Sequence, residues 1–358
     1  MITTLHIDNF RGFHKLDVHG LARFNLIVGQ NSVGKTALME AFSVAGASQP
    51  TILVELNALR GILPGVVERD SRSIFQDWFG DADKPFVIST ENEDGPATTT
   101  IATLRPAKDQ IIASGNLDGL PQDLRDTVVS KATAEELHWI HKRSGEIVGE
   151  SVMQAYGLHL LERELRSIPK QIMAGRSFVP SASTITPKEI ERFDKLKDDA
   201  QAYGLLLETL RKMQPALADI EVRPLGGRNV LAGRLDNGKR LPLGLLGEGV
   251  VRSCQILLAV IGAGKRGRVC VDELDGGLHH SVQRAVFTAL RHAVAELDGQ
   301  LFATTHSDEC ISAAHEAFQD AGKDLMVFRV DRDNTSVAIT AFDAATRRDT
   351  LAYNFDMR

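Results

Sequence analysis

The stretch Gly29-Gln30-Asn31-Ser32-Val33-Gly34-Lys35-Thr36 decides how this chain is read. Before it, Phe24 to Val28 (FNLIV) is a short apolar run of strand type, and after it Ala37 to Val44 (ALMEAFSV) spaces its apolar residues as a helix does. Strand, glycine-rich turn and helix together are the context a phosphate-binding loop requires. The glycines let the backbone curl so that its N–H groups face phosphate oxygens, and the positive end of the new helix dipole lies at the same place. Lys35 then supplies a mobile charge for the β- and γ-phosphates, and Thr36 a hydroxyl ligand for Mg²⁺. A bare match would also fit a Gly-rich helix entry, but the flanking strand and helix favour a nucleoside triphosphate as ligand.

Composition sets the outer bounds. The 358 residues could hold two ordinary domains or one large α/β domain with insertions. Apolar content of 43% and charge of 25% allow a sizeable core. The formal net charge of −6 gives no global basic bias, so a nucleic-acid partner would have to meet a local patch or a surface built by oligomerisation. Cys254, Cys270 and Cys310 lie far apart in or beside apolar segments, without zinc-ligand spacing, and fit buried thiols of a reducing compartment. The N-terminus reads as a strand and not a signal sequence, and no apolar run approaches about 18 residues. A cytoplasmic protein without membrane contact is expected.

Outward from the loop, Met1 to Phe10 reads as an edge strand, Arg11-Gly12-Phe13 as a turn, and Leu16 to Val18 as a second strand. Ile52 to Leu63 is ambiguous. Phe86 to Thr90 and Thr98 to Leu104 flank an acidic turn, a hairpin signal. Ala107 to Arg125 gives no readable pattern. Helical spacing is read over Ala134 to Lys142, Val152 to Ile168, and one long stretch from Pro187 to Met213. About 210 residues separate the phosphate loop from Gly247, and they are too interrupted by strands, glycines and prolines for a heptad coiled coil. Ile220 to Arg223 and Val230 to Leu235 form a second hairpin around Gly226-Gly227. Arg268 to Val271, Leu301 to Thr304, Leu325 to Val330 and Ser336 to Thr340 read as strands, with an amphipathic helix over Ser281 to Leu297. Strands alternating with helices imply a largely parallel sheet with its ligand at the carboxyl ends.

Three further stretches carry chemistry. Val269-Cys270-Val271-Asp272-Glu273 is an apolar strand ending in two carboxylates: Asp272 suits Mg²⁺, and Glu273 would orient or deprotonate the attacking water. Leu301 to Ser307 delivers His306 to the same sheet edge, where imidazole can reach γ-phosphate or water, while Ser307 also fits a helix N-cap. Gly247-Glu248-Gly249 opens an apolar helix with backbone N–H groups suited to a phosphate. One loop already serves this chain's nucleotide, so the economical reading gives this second site to the nucleotide of another subunit.

In order and content these segments resemble the ABC-type ATPase heads of the SMC/RecF/OLD group: IDNFRGF, GQNSVGKT, LLGEG before an apolar helix, VCVDELDGGLHH and TTHS. They look most similar to OLD-family and stand-alone AAA-type ATPases. The resemblance implies an α/β P-loop NTPase with a helical and β insertion, binding ATP and Mg²⁺. It implies nucleotide contacts from Gly29 through Thr36 and Ala37, with Lys35 also catalytic, Thr36 and Asp272 as metal ligands, Glu273 as base, and His306 as switch histidine. Gly247, Glu248 and Gly249 would contact the partner's ATP, Arg252 would link signature to nucleotide, and Arg11 would lie near the nucleotide. Gly277, Leu278 and His279 fall on the segment corresponding to the D-loop. Leu274-Asp275 and His280 depart from the family's usual Pro-Glu and Pro. No DxD-bearing segment is read after the last ATPase strand, so the Toprim nuclease domain of full OLD proteins is expected to be missing.

The expected organisation is an N-terminal ATPase lobe over 1–106, a mainly helical insertion over 107–215, and a C-terminal ATPase lobe over 216–358. The expected function is a slow ATPase that forms an ATP-sandwiched homodimer and gates a separate effector, a nuclease or toxin, in anti-phage defence or DNA maintenance. A RecF-like ATP-dependent DNA-binding repair protein and a non-hydrolysing nucleotide-gated scaffold remain the rival readings.

Overall fold

The structure, a computed structural model, describes residues 1–62, 75–107, 135–156, 159–166, 175–333 and 336–352. The unread stretch Ala107 to Arg125 lies almost wholly outside them.

Two sheets organise the chain. β1 (Ile2–Phe10) and β2 (Phe13–His19) begin an antiparallel sheet continued by β4 (Phe86–Asn92), β5 (Gly95–Pro106), β6 (Glu135–Arg143), β7 (Glu146–Tyr156) and β8 (His159–Arg166), in the order β2-β1-β4-β5-β6-β7-β8. The second sheet takes β3 (Phe24–Val28), β9 (Arg176–Val179), β13 (Arg268–Val271), β14 (Gln300–Thr304), β15 (Leu325–Arg332) and β16 (Val337–Phe342), in the order β16-β15-β3-β14-β13-β9. Only β16 runs antiparallel there. A small hairpin sheet, β10 (Leu217–Leu225), β11 (Arg228–Leu235) and β12 (Arg240–Pro242), stands apart.

Helix α1 (Lys35–Val44) lies between the two sheets, and its burial is accordingly almost all round, from Leu38 to Val44. Phe42 stacks on Phe302 of β14 with centroids 4.0 Å apart, while Trp139 of β6 donates its indole N–H to Ala47 O at 3.1 Å. α2 (Thr51–Leu59) packs against this layer through Leu53 and Leu56. On the other face of the parallel sheet lie α3 (Pro187–Leu196), α4 (Ala200–Arg211), α5 (Glu248–Ala263), α6 (His280–Glu296) and α7 (Asp308–Ala317), with α8 (Ala344–Ala352) near the last strands. Neighbouring residues of a strand feed opposite cores: Leu301 and Ala303 enter the helical side, and Phe302 the side of α1.

Several expectations are corrected. β1 is flanked on both sides, so it is not an edge strand. The helices read over Ala134 to Lys142 and Val152 to Ile168 are strands β6, β7 and β8 where described, which overturns a mainly helical reading of 107–215 across that part. The reason is visible in β6: Leu137, Trp139 and His141 are buried at a spacing of two, and Ser144 (φ 50) and Gly145 (φ 83) close a two-residue turn of the kind that suits hairpins. Helical spacing and paired alternation overlap in so short and charged a text. The long helix from Pro187 breaks between Leu196 and Ala200, where Asp199 caps α4 by accepting from the N–H groups of Gln201 and Ala202. Ile52 to Leu63 is helical through Leu59. Among the described residues no helix is long and apolar enough to cross a membrane.

Candidate functional site

β3 places all five of its side chains in the core, then the chain turns sharply. Gly29 (φ 143) cannot be replaced without collision, since a Cβ there would lie 2.5 Å from the backbone oxygen of Val330. Gly34 (φ 111) caps α1 with the ring of Phe13 beneath it. The Lys35 ammonium donates to Gly29 O (2.7 Å) and Gln30 O (2.8 Å), spanning the loop it follows. Burial lowers the Lys35 pKa, and the nearby Asp272 and Glu273 carboxylates pull against that shift.

Asp272 follows the buried end of β13 and is held from two sides. Thr36 Oγ1 donates to Asp272 Oδ2 at 3.1 Å, and Thr304 Oγ1 donates to Asp272 Oδ1 at 2.6 Å. A hydroxyl and a carboxylate are hard oxygen donors, and this pair at the first turn of α1 fits Mg²⁺, which takes few protein ligands and keeps several waters. The next residue, Glu273, is exposed and adopts φ 49, a left-handed conformation uncommon for a side chain of its size. Its N–H donates to Thr304 Oγ1 at 2.7 Å, so the strain is tied to the neighbouring strand end. His306, two residues past β14, is exposed at the same edge.

One cavity of about 380 Å³ collects Ser32, Lys35, Thr36, Asp272, Glu273 and His306. The sequence reading thus comes together at the carboxyl ends of β3, β13 and β14. Arg11, the Gly247–Gly249 turn and Arg252 do not line it. Arg11 (φ 52) turns instead to buried Glu40 of α1 (Nε to Oε2, 3.1 Å) and stacks its guanidinium 3.6 Å over Trp78. Gly247 and Glu248 are exposed at the start of α5, outside the cavity lining, and Gly249 sits against Gly277 O.

Arg252, one turn into α5, is fully buried. It donates to Pro180 O (2.5 Å), Glu273 O (2.9 Å) and Asp272 O, fastening the signature helix to the carboxylate-bearing turn. Burial lowers its pKa to about 10, and Asp272 and Glu273 lead the opposing effects.

The sequence reading missed Arg60. It lines the phosphate-loop cavity and pairs with Glu40 at 2.7 Å, taking the place beside the loop that Arg11 was expected to fill. It also missed Ser181, which follows β9 and shares an adjoining cavity of about 500 Å³ with Thr36 and Asp272. A basic residue after α2 carries no sequence signal; the four-residue strand β9, Arg-Ser-Phe-Val, carries a weak one.

A parallel sheet whose loop, paired carboxylates and histidine meet at one edge defines a P-loop ATPase head of the ABC type. The chain belongs to the family described as "AAA domain, putative AbiEii toxin, Type IV TA system", which matches residues 24–312. A Helicobacter pylori protein named "ATP/GTP phosphatase" is 23% identical over 350 residues, covering 89% of each chain. An uncharacterised Methanocaldococcus jannaschii protein is 30% identical over 81 residues, 23% of this chain and 32% of that one. Among solved structures, an SMC head bound to the C-terminal winged-helix domain of ScpA aligns with TM-score 0.50 and 13% identity, covering 96% of this chain and 97% of that one. That likeness is one of fold.

Proposed function

We propose that this chain binds ATP with Mg²⁺ and closes head to tail as a homodimer, with two nucleotides at the seam. In this reading the loop N–H groups and Lys35 hold the β- and γ-phosphates, Thr36 and Asp272 hold the metal, and Glu273 takes a proton from the attacking water. His306 contacts the γ-phosphate side of that water. Mg²⁺, when bound by Thr36 and Asp272, would supply neutralisation of the charge on the phosphates. Gly247, Glu248 and Gly249 of the second copy complete the site. The name carried by the Helicobacter pylori relative supports hydrolysis.

The observation that carries the proposal is the separation of two phosphate-binding features on one chain. The loop and its carboxylates share a cavity, while Gly247-Glu248-Gly249 lies outside it at the start of a 16-residue helix, with Gly247 and Glu248 exposed. The first N–H groups of such a helix have no intrahelical partner and favour an anion. Leu245 beside it keeps 71% of its surface exposed, an apolar group suited to a seam. γ-Phosphate bound by both copies would favour the closed dimer, and its cleavage would release it.

The state of the dimer would gate a separate effector, a nuclease or toxin, in anti-phage defence or DNA maintenance; the family description, with its reference to a toxin–antitoxin system, supports that setting. Sizing the Glu273→Gln protein with and without ATP tests the mechanism. An ATP-dependent shift from monomer to dimer is expected, and a monomer under both conditions overturns it.

A further inference from the structure

At the end of the parallel sheet opposite the phosphate loop lies a cavity of about 230 Å³ that the ATPase chemistry does not use. Arg176 of β9 and Arg268 of β13 are register partners on adjacent parallel strands, and both line it. Like charges so placed repel. Both are mostly buried, and among the described residues no carboxylate forms an ion pair with either. Arg176 donates to Gly46 O beyond the end of α1, but its Nε is buried without a partner. Facing them from β6, His141 is 6% exposed with Nδ1 unpartnered, and Arg143 stands two residues on, on the same side of the strand.

At the mouth, Arg266 and Asp298 pair at 3.3 Å, Asp298 also binds Arg23 at 2.8 Å, and Asp94 is the remaining acid of the lining. Rim acids already engaged or exposed leave the two inner guanidinium groups uncompensated. Burial lowers the His141 pKa to about 4, and the charges of Arg176, Arg268 and Arg143 add to that shift.

Arginine does not deprotonate at physiological pH, and a buried unpaired charge is costly. The cost is removed when an anion enters. Two inner forks and a third at the rim suit a tetrahedral dianion better than a single carboxylate, because each fork can donate two N–H bonds to phosphate-type oxygens. The volume lies below the roughly 300 Å³ at which ordinary ligand pockets begin, which favours a small phosphate-bearing group. We propose that the cavity between Arg176, Arg268, Arg143 and His141 is a binding site for the phosphate group of a small molecule, as free phosphate or as a phosphomonoester.

The test compares wild type with Arg268→Met by thermal melting in chloride buffer and in buffers of equal ionic strength containing inorganic phosphate, glycerol phosphate or acetate. In chloride the variant should melt at or above the wild type, since it loses an unpaired buried charge. Phosphate should raise the wild type more than the variant, with about tenfold weaker apparent affinity in the variant. Phosphate held at the Lys35 loop shifts both proteins equally and cancels. A larger shift with glycerol phosphate assigns the site to a phosphomonoester, and a larger shift with inorganic phosphate assigns it to the free ion. Equal lowering of the variant in every buffer would make Arg268 a structural clamp, and equal shifts in both proteins, or an acetate shift matching phosphate, would also overturn the site. Should Arg268→Met fail to fold, Arg143→Gln at the rim should leave the melting point in chloride unchanged and weaken only the phosphate shift; an unaltered phosphate shift there overturns the proposal.

Discussion

Thr304 and Asp272 are joined by a 2.6 Å hydrogen bond from hydroxyl to carboxylate, and the same Thr304 oxygen receives the N–H of Glu273. One β-strand end thereby fixes both the proposed metal ligand and the backbone of the proposed base. Thr304 is fully buried, so Thr304→Val keeps the volume and removes only the bonding. Hydrogen-bond partners of a metal ligand are worth about 10–100-fold in affinity or activity. ATP turnover should fall by that factor and the Mg²⁺ concentration needed for half activity should rise. An unchanged Mg²⁺ requirement would contradict the assignment of Asp272.

Glu273→Gln preserves shape while removing the basic oxygen. Turnover should fall by roughly 10²–10⁴-fold, the usual worth of general base catalysis, with nucleotide affinity changed only slightly. Phosphate-release assays beside equilibrium binding separate the two quantities. Turnover equal to wild type would favour a scaffold that gates without hydrolysis.

Arg252 reaches three carbonyls and the side chain of Gln255 from a fully buried position. Arg252→Met strands those acceptors, at a cost of about 3 kcal/mol. Arg252→Lys should recover little, because an ammonium cannot match the planar fork that spans Pro180, Asp272 and Glu273. Urea unfolding gives the stability, and a loss below about 1 kcal/mol for either variant would contradict this role.

Tyr203 of α4 donates its hydroxyl to Asp219, and burial together with that carboxylate raises its pKa from 10.0 to about 12. The folded state therefore holds a proton that the unfolded state releases near pH 10, so this contribution to stability is intact below pH 10 and is lost as pH rises toward 12. Tyr203→Phe should flatten that decline. With three tyrosines in the chain, the late-titrating phenol should also vanish from the tyrosinate absorbance titration of the variant.

Much of the ATPase frame was legible because its segments obey single rules. FNLIV and VCV are buried on both faces, as parallel strands require, and α6 carries one clean apolar stripe. The described strands within Ala134 to Lys142 and Val152 to Ile168 were misread because charged residues such as Glu136, Lys142 and Arg163 alternate with apolar ones at spacings compatible with either period; only Ser144-Gly145 signalled the hairpin. Arg11 was carried over from a resemblance, and no local pattern could reveal that buried Glu40 and the Trp78 ring draw its side chain away from the cavity. The Arg176–Arg268 pair was equally invisible, since strand register brings together residues 92 positions apart.

The seven-stranded sheet has a practical consequence for anyone trimming this chain. β4 zips directly onto β1, and β5 through β8 extend outward from it in unbroken succession. Excising 86–166 to leave a minimal catalytic core would unzip β1 along one whole flank and uncover Phe10 and Phe79, whose rings pack on Phe86. Such a truncation would leave a sticky, self-associating fragment and not a smaller enzyme.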